Sequence, residues 1–275
     1  MIPSEPLVEL SEQQAHMVAL EYWLASHAGQ YFVQREQAWL DRTVPDLFGF
    51  RAVQLGTRAV DGLRESRIPH RAYVQDIIRT AGPHEPDQAR PAVADCYASF
   101  EDLPFDSQSL DLVVLPHVLE FAADPLQVLR EVDRVLMPEG RVLITGFNPM
   151  SLWGLRQSLF GRWKPVWPQG CEPIHLVRLK EWLKVLSVEP EFGRFVGYRF
   201  PAFSEHGLQR MPFMEKAGDR WWPVCGGVYC FGGIKRIRGM RLVGPAFKDR
   251  KQLAVKSLKP VTHQAINKSG NNPLQ

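Results

Sequence analysis

The sequence predicts an α/β protein built on a parallel sheet, and three observations carry that prediction. Residues 109–149, SLDLVVLPHVLEFAADPLQVLREVDRVLMPEGRVLITGFNP, read as strand, helix and strand with short connections. Such a βαβ unit requires its two strands to be parallel. Leu110–Leu115, apolar but for Asp111, and Val142–Thr145 read as strands buried on both faces. The chain has 275 residues, 45% hydrophobic and 23% charged, enough for one large domain with a full core.

The elements follow in order. Over residues 11–40, Met17, Leu20, Trp23 and Leu24 recur at helical spacing, and HAGQ around Gly29 divides two helices. Phe50–Leu55 is a short strand closed by Gly56, followed by a weak helix over Ala59–Ser66. HRAYVQD forms a second strand ending near Asp76. TAGPHEPDQARP, with three prolines, is a loop, and PAVADCYASF holds a third strand. In the central unit Asp124 is an N-cap, Pro125 fits the first helical position and Gln127 completes a capping box. Leu126, Leu129, Val132, Val135 and Leu136 form the apolar stripe, and Met137-Pro138 ends the helix. Beyond Asn148-Pro149, a Trp-rich segment leads to an amphipathic helix in LVRLKEWLKVLSVEP. FGRFVGYRFPA and GGVYCFGGIKRI are two closing strands, with MPFMEKAGDRWWP as a short helix or loop between them.

Charge and cysteine usage narrow the classes. The net charge is +3, but ten Lys/Arg face the single acid Asp249 from Gly232 to Gln275, so a basic tail follows an acidic body. Such a tail could hold nucleic acid or an acidic membrane surface, although no aromatic or Gly-rich nucleic-acid motif accompanies it; a solvated, disordered tail is the favoured reading. Cys96, Cys171, Cys225 and Cys230 are scattered without CxxC pairing, which points to reduced thiols in a cytoplasmic protein and to no metal site. The N-terminus lacks the features of a secretory signal, and no apolar run reaches the ~20 residues of a membrane span. The expected organisation is a helical extension over 1–45, a main domain over 46–242 with a lid-like insertion at 151–174, and the basic tail over 243–275.

Glu101–Phe121, EDLPFDSQSLDLVVLPHVLEF, and the following LREVDRVLMPEGRVLITGFNP closely resemble the class I S-adenosylmethionine-dependent methyltransferases of the type 11 group. The resemblance covers roughly residues 46–149 and fits the closing strands. It implies a Rossmann-like, seven-stranded, mostly parallel sheet with helices on both faces and an antiparallel C-terminal hairpin. It also implies S-adenosyl-L-methionine as cofactor.

In that family the first strand ends in an acid and a Gly-x-Gly-x-Gly loop. Here Gln54 stands for the acid, Gly56 for the first glycine, Arg58 and Val60 for the others, with Thr57 between, so the loop is degenerate. Arg58 would grip the cofactor carboxylate or simply fill the site. Asp76 is implied as the ribose ligand, or is a surface aspartate. Ser99 takes the place of the aspartate near the adenine amino group. Phe100 packs on adenine or in the core, and Glu101 belongs to the segment framing the base. Pro116 and His117 follow the central strand at its carboxyl edge, where open α/β sheets bind ligands. His117 would orient an acceptor or take its proton, or is a structural histidine. Glu120 is a pocket acid or a helix-surface charge, and Asn148 faces the acceptor or shapes a turn.

These residues support methyl transfer to an unidentified acceptor, a reaction that depends on alignment more than on catalytic side chains. The degenerate loop keeps open a second reading, a non-catalytic binding or scaffold protein on the same fold. A third makes the basic tail a nucleic-acid contact.

Overall fold

The computed structural model describes residues 11–76, 95–161, 163, 165–199 and 213–236. The chain divides into two units, Met1–Ile237 and Arg238–Gln275. The expected loop at 80–91 and the basic tail lie outside the described residues.

Two helices open the fold. Helix α1 (Glu12–Ala25) begins in a reciprocal capping box between Ser11 and Gln14. Helix α2 (His27–Thr43) starts at a new cap, Ser26, whose hydroxyl accepts from the Gly29 amide at 3.2 Å. The division therefore falls three residues earlier than Gly29. That glycine sits in the first turn of α2, where a Cβ would stand 2.2 Å from the Trp23 carbonyl oxygen.

The sheet strands are β1 (Arg51–Leu55), β2 (His70–Gln75), β3 (Cys96–Tyr97), β4 (Leu110–Pro116), β5 (Leu136–Phe147), β6 (Val188–Val196) and β7 (Val228–Lys235), in the order β3-β2-β1-β4-β5-β7-β6. The first five pair in parallel, whereas β7 runs antiparallel to both β5 and β6. Between β4 and β5 lies α3 (Pro125–Val135). Helices α4 (Leu152–Phe160), α5 (Leu176–Val185) and α6 (Phe213–Trp221) complete the described elements.

The period-two alternation of the strands sorts their side chains into two cores. Val53, Leu55, Val113, Leu115, Val142 and Ile144 pack with Val128 and Val132 of α3 and Leu179 of α5. Ala52, Leu112, Val114 and Leu143 pack with Leu40 at the end of α2 and with Val60, Leu63 and Ile68. Met17, Leu20 and Leu24 of α1 and Phe32 of α2 belong to the first core, so these helices are built into the domain.

Two local expectations change. The stretch 59–66 forms turns, not a helix, because side chains hold its backbone: Gln54 accepts from the Gly62 amide and Gln37 from the Asp61 amide. The cap of α3 is also rearranged. Asp124 Oδ1 accepts from Leu126 N and Gln127 N at 3.0 and 3.1 Å. The Asp124 amide, however, donates to Glu101 Oε1, not to Gln127.

Candidate functional site

The strand order reverses between β1 and β4, and their carboxyl ends form the switch point at which open α/β sheets bind ligands. Gly56 follows β1 with φ +86°, a left-handed conformation that favours glycine. Its amide donates to Val74 O, tying the turn to β2. A Cβ at Gly56 would meet Val118 Cγ2 at 2.8 Å and Met17 Cε at 3.4 Å. Helix α1 therefore packs directly on this turn. Gln14 extends the contact, its Nε2 donating to the Asp76 carbonyl at 2.8 Å.

Gln54 is 1% exposed and fully engaged. Its Nε2 donates to Thr57 O and Val60 O, both at 2.8 Å, and its Oε1 accepts from Gly62 N at 2.8 Å. Only an amide can donate twice and accept once in this way. Thr57 is buried and its hydroxyl accepts from the Ala59 amide. The Arg58 guanidinium lies over the Tyr73 ring, 3.8 Å from its centroid. Val60 is buried in the second core. The turn after β1 is thus closed on itself by its own side chains.

The nucleoside end is more open. Asp76 is half-buried at the end of β2, and among the described residues no hydrogen bond reaches its carboxylate. Burial, and then the nearby charge of Glu101, raise its pKa. A half-buried carboxylate without a donor fits a ligand that brings hydroxyl donors. Ser99 is exposed, its hydroxyl accepting from the Glu101 amide. Phe100 is 1% exposed within the first core, so its ring is a core side chain with no face left for a base. The residues present thus fit the ribose end of the implied cofactor and depart from the family pattern at the methionine end.

Pro116 ends β4, buried against the Gly56 turn. His117 follows at φ +52° and is completely buried. Its Nδ1 lies 2.8 Å from Glu120 Oε2 and its Nε2 lies 3.0 Å from Glu36 Oε1. Burial alone would lower its pKa; the two carboxylates outweigh that and push it up to about 10. With both ring nitrogens engaged, His117 is a charged clamp and not a base free to meet an acceptor. Glu120 is also buried, and its Oε1 accepts from the Phe147 amide. It is therefore a member of the clamp, not a surface charge. Glu36 escaped the sequence reading because it lies on α2, 81 residues from its partner; a charged residue among helical apolar positions was the available signal. The clamp abuts aromatic rings, with His117 4.2 Å from Phe147, which stacks on Trp167 and meets Trp23 edge-on.

Asn148 proves to be a turn organiser. Its Nδ2 donates to Val224 O and Gly226 O, both at 2.8 Å, and its Oδ1 accepts from Met150 N. A groove of about 560 Å³ beside Arg51, His70 and Asp106 opens at the amino end of β1 and β2, opposite this site. No group of metal-ligating side chains occurs among the described residues.

The strand order, the antiparallel β7 and the ligand edge define the class I methyltransferase fold. Residues 75–144 match a family model described as a methyltransferase domain. In fold and over these matched residues the chain is similar to the class I S-adenosylmethionine-dependent methyltransferases. It is 40% identical to the Escherichia coli protein YafS over 87 residues, 32% of this chain and 36% of YafS. The match thus spans about a third of that relative. An S-adenosylmethionine-dependent methyltransferase from Thermotoga maritima superposes with a TM-score of 0.56 at 20% identity, covering 78% of this chain and 94% of that one. A chain of the Haloferax volcanii complex between the Trm112 methyltransferase activator and a methyltransferase gives 0.53 at 17% identity, covering 82% and 99%. At these identities the structural likeness is one of fold.

Proposed function

We propose that this protein binds S-adenosyl-L-methionine at the carboxyl edge of β1, β2 and β4 and transfers its methyl group to an acceptor. The observation that carries the reading is Asp76: a half-buried carboxylate that no described residue donates to, at the end of β2, on a sheet of this strand order. Asp76 would accept from the ribose hydroxyls, Ser99 and Glu101 would line the base, and the Gly56 turn would border the remainder. When bound, the cofactor supplies a methyl group already activated by its sulfonium, so the protein has to align the reactants and exclude water. The His117 clamp holds the post-β4 turn against α2, fixing the wall beside that edge.

The test is thermal unfolding and calorimetric titration with the cofactor and its demethylated product. Ligand at one hundred times its dissociation constant stabilises by about 2.7 kcal/mol. That corresponds to several degrees, at roughly 2–4 °C per kcal/mol for a domain of this size. Asp76→Ala should remove most of the shift while leaving the unliganded midpoint nearly unchanged.

One observation favours a second reading, a non-catalytic binding protein on this fold. The polar groups of Gln54 are all spent on the loop, and Arg58 is stacked on Tyr73. Absence of any shift at millimolar ligand would decide for it. The four free cysteines support a cytoplasmic setting. No described helix is long and apolar enough to cross a membrane.

A further inference from the structure

Helix α4 is anchored on one face only. Trp153 is 1% exposed and its Nε1 donates to Arg199 O at 2.8 Å. Ser151 caps the helix, and Gly154 is buried so close to Pro149 that a Cβ would meet the Pro149 oxygen at 2.1 Å. The other face carries Leu152, Leu155 and Leu159, spaced by three and four residues and exposed, followed by exposed Phe160. Trp163, just beyond, is 88% exposed. A surface helix of a globular protein normally turns charged or polar side chains outward; this one turns leucines outward.

A second exposed apolar stretch, Trp221, Trp222 and Val224, begins at the last residue of α6. Asn148 joins the two: it donates to Val224 O and accepts from Met150 N, so both stretches leave the carboxyl edge of the sheet from one side chain. Together they hold half of the exposed large apolar side chains among the described residues. Between Pro149 and Cys171 the sequence carries Arg156, Arg162 and Lys164 and no acidic residue. Asp219, two residues before Trp221, is paired with Arg194 at 2.6 Å.

Outward leucine, phenylalanine and tryptophan with basic neighbours is the composition of a helix lying in a bilayer interface, its rings at headgroup depth and its cations toward anionic lipid. We infer that α4, Trp163 and the 221–224 turn form a docking surface for an anionic lipid bilayer. The surface lies on the membrane without crossing it, and the inference stands whether or not the fold transfers a methyl group.

The test uses the full chain with vesicles of phosphatidylcholine alone and of phosphatidylcholine with an equal share of phosphatidylglycerol, followed by sedimentation. The expected result is binding to the anionic vesicles that survives moderate salt in part. The combined variant Leu155→Ser, Leu159→Ser, Trp163→Ser should partition about tenfold less or weaker still. Trp163→Ser alone should lose less, in the same direction, and keeps the test readable if the triple variant folds poorly. Undiminished binding by a folded variant would overturn the inference, because lipid attraction would then come from basic residues elsewhere. Lack of binding to anionic vesicles would overturn it too. So would a dimer of the parent protein, seen by light scattering without lipid and lost in the variant, because the face would then pair two copies.

Discussion

Glu36 Oε1 on α2 lies 3.0 Å from His117 Nε2 beyond β4, joining the N-terminal helices to the central βαβ unit through a buried ion pair. Glu120 holds the other ring nitrogen at 2.8 Å, so a cationic imidazole sits between two carboxylates with no solvent exposure.

This clamp makes stability depend on pH in a defined direction. The folded pKa of His117 is raised to about 10, above an ordinary value of 6.5. The folded state therefore binds the proton more tightly than the unfolded chain, and the stabilisation is complete below pH ~6.5. It should erode as pH rises through about 10. Thermal midpoints measured from pH 6 upward should fall along this window in the parent. The fall should be shallower in Glu36→Gln, which at neutral pH should lose about 1–3 kcal/mol. A parallel decline in both proteins would show that other groups set the alkaline limb.

Gln54 should tolerate neither an apolar nor an acidic replacement. Gln54→Leu strands two carbonyls and one amide in the interior and should cost about 2–4 kcal/mol in denaturant unfolding. Gln54→Glu restores the acid of the family pattern, yet sets a carboxylate against the Thr57 and Val60 oxygens that the amide now serves. It should be at least as destabilising at neutral pH and should recover in part as the medium is acidified. A stable Gln54→Glu protein with improved cofactor binding would show that the loop reopens readily.

Gly56→Ala combines a disfavoured φ of +86° with a contact at 2.8 Å to Val118. The expected loss is about 1–3 kcal/mol. Adding Val118→Ala relieves the contact but not the dihedral, so recovery should be partial. Full recovery in equilibrium unfolding would assign the cost to packing alone.

Asn148→Ala removes two donations and one acceptance at the turn after β5. It should destabilise by about 1–3 kcal/mol and increase protease cleavage near 148–154 and 222–226. Retained protection of both segments would show that β5–β7 pairing suffices to hold them.

How much of this was legible depends on sequence distance. The β4–α3–β5 unit was readable because every signal is local: apolar runs, a cap at Asp124 and a proline at the first helical position. The seven-stranded, mostly parallel sheet with its antiparallel closing hairpin followed from the resemblance those residues carry; its strand order did not. The capping box failed because Glu101, 23 residues upstream, took the Asp124 amide. The helix expected at 59–66 failed because Gln37 and Gln54 capture its backbone amides from outside the segment. At the site, Asp76 was singled out only through the resemblance, as the aspartate that closes the second strand. The engagement of His117 by Glu36 has no local signature and needs the fold to become visible.

The same long reach of α1 and α2 sets an order of events during synthesis. Both helices leave the ribosome before the sheet does, yet Glu36 meets its counter-charge only after residue 117 has emerged. Trp23 Nε1 finds its acceptor, Val166 O, another 49 residues later. Until then, Leu20, Leu24 and Phe32 have no sheet to cover and a nascent chain carries an unfilled apolar face. These helices, made ahead of the sheet they cover, thus settle late, and that interval is when a holding chaperone would have most to cover.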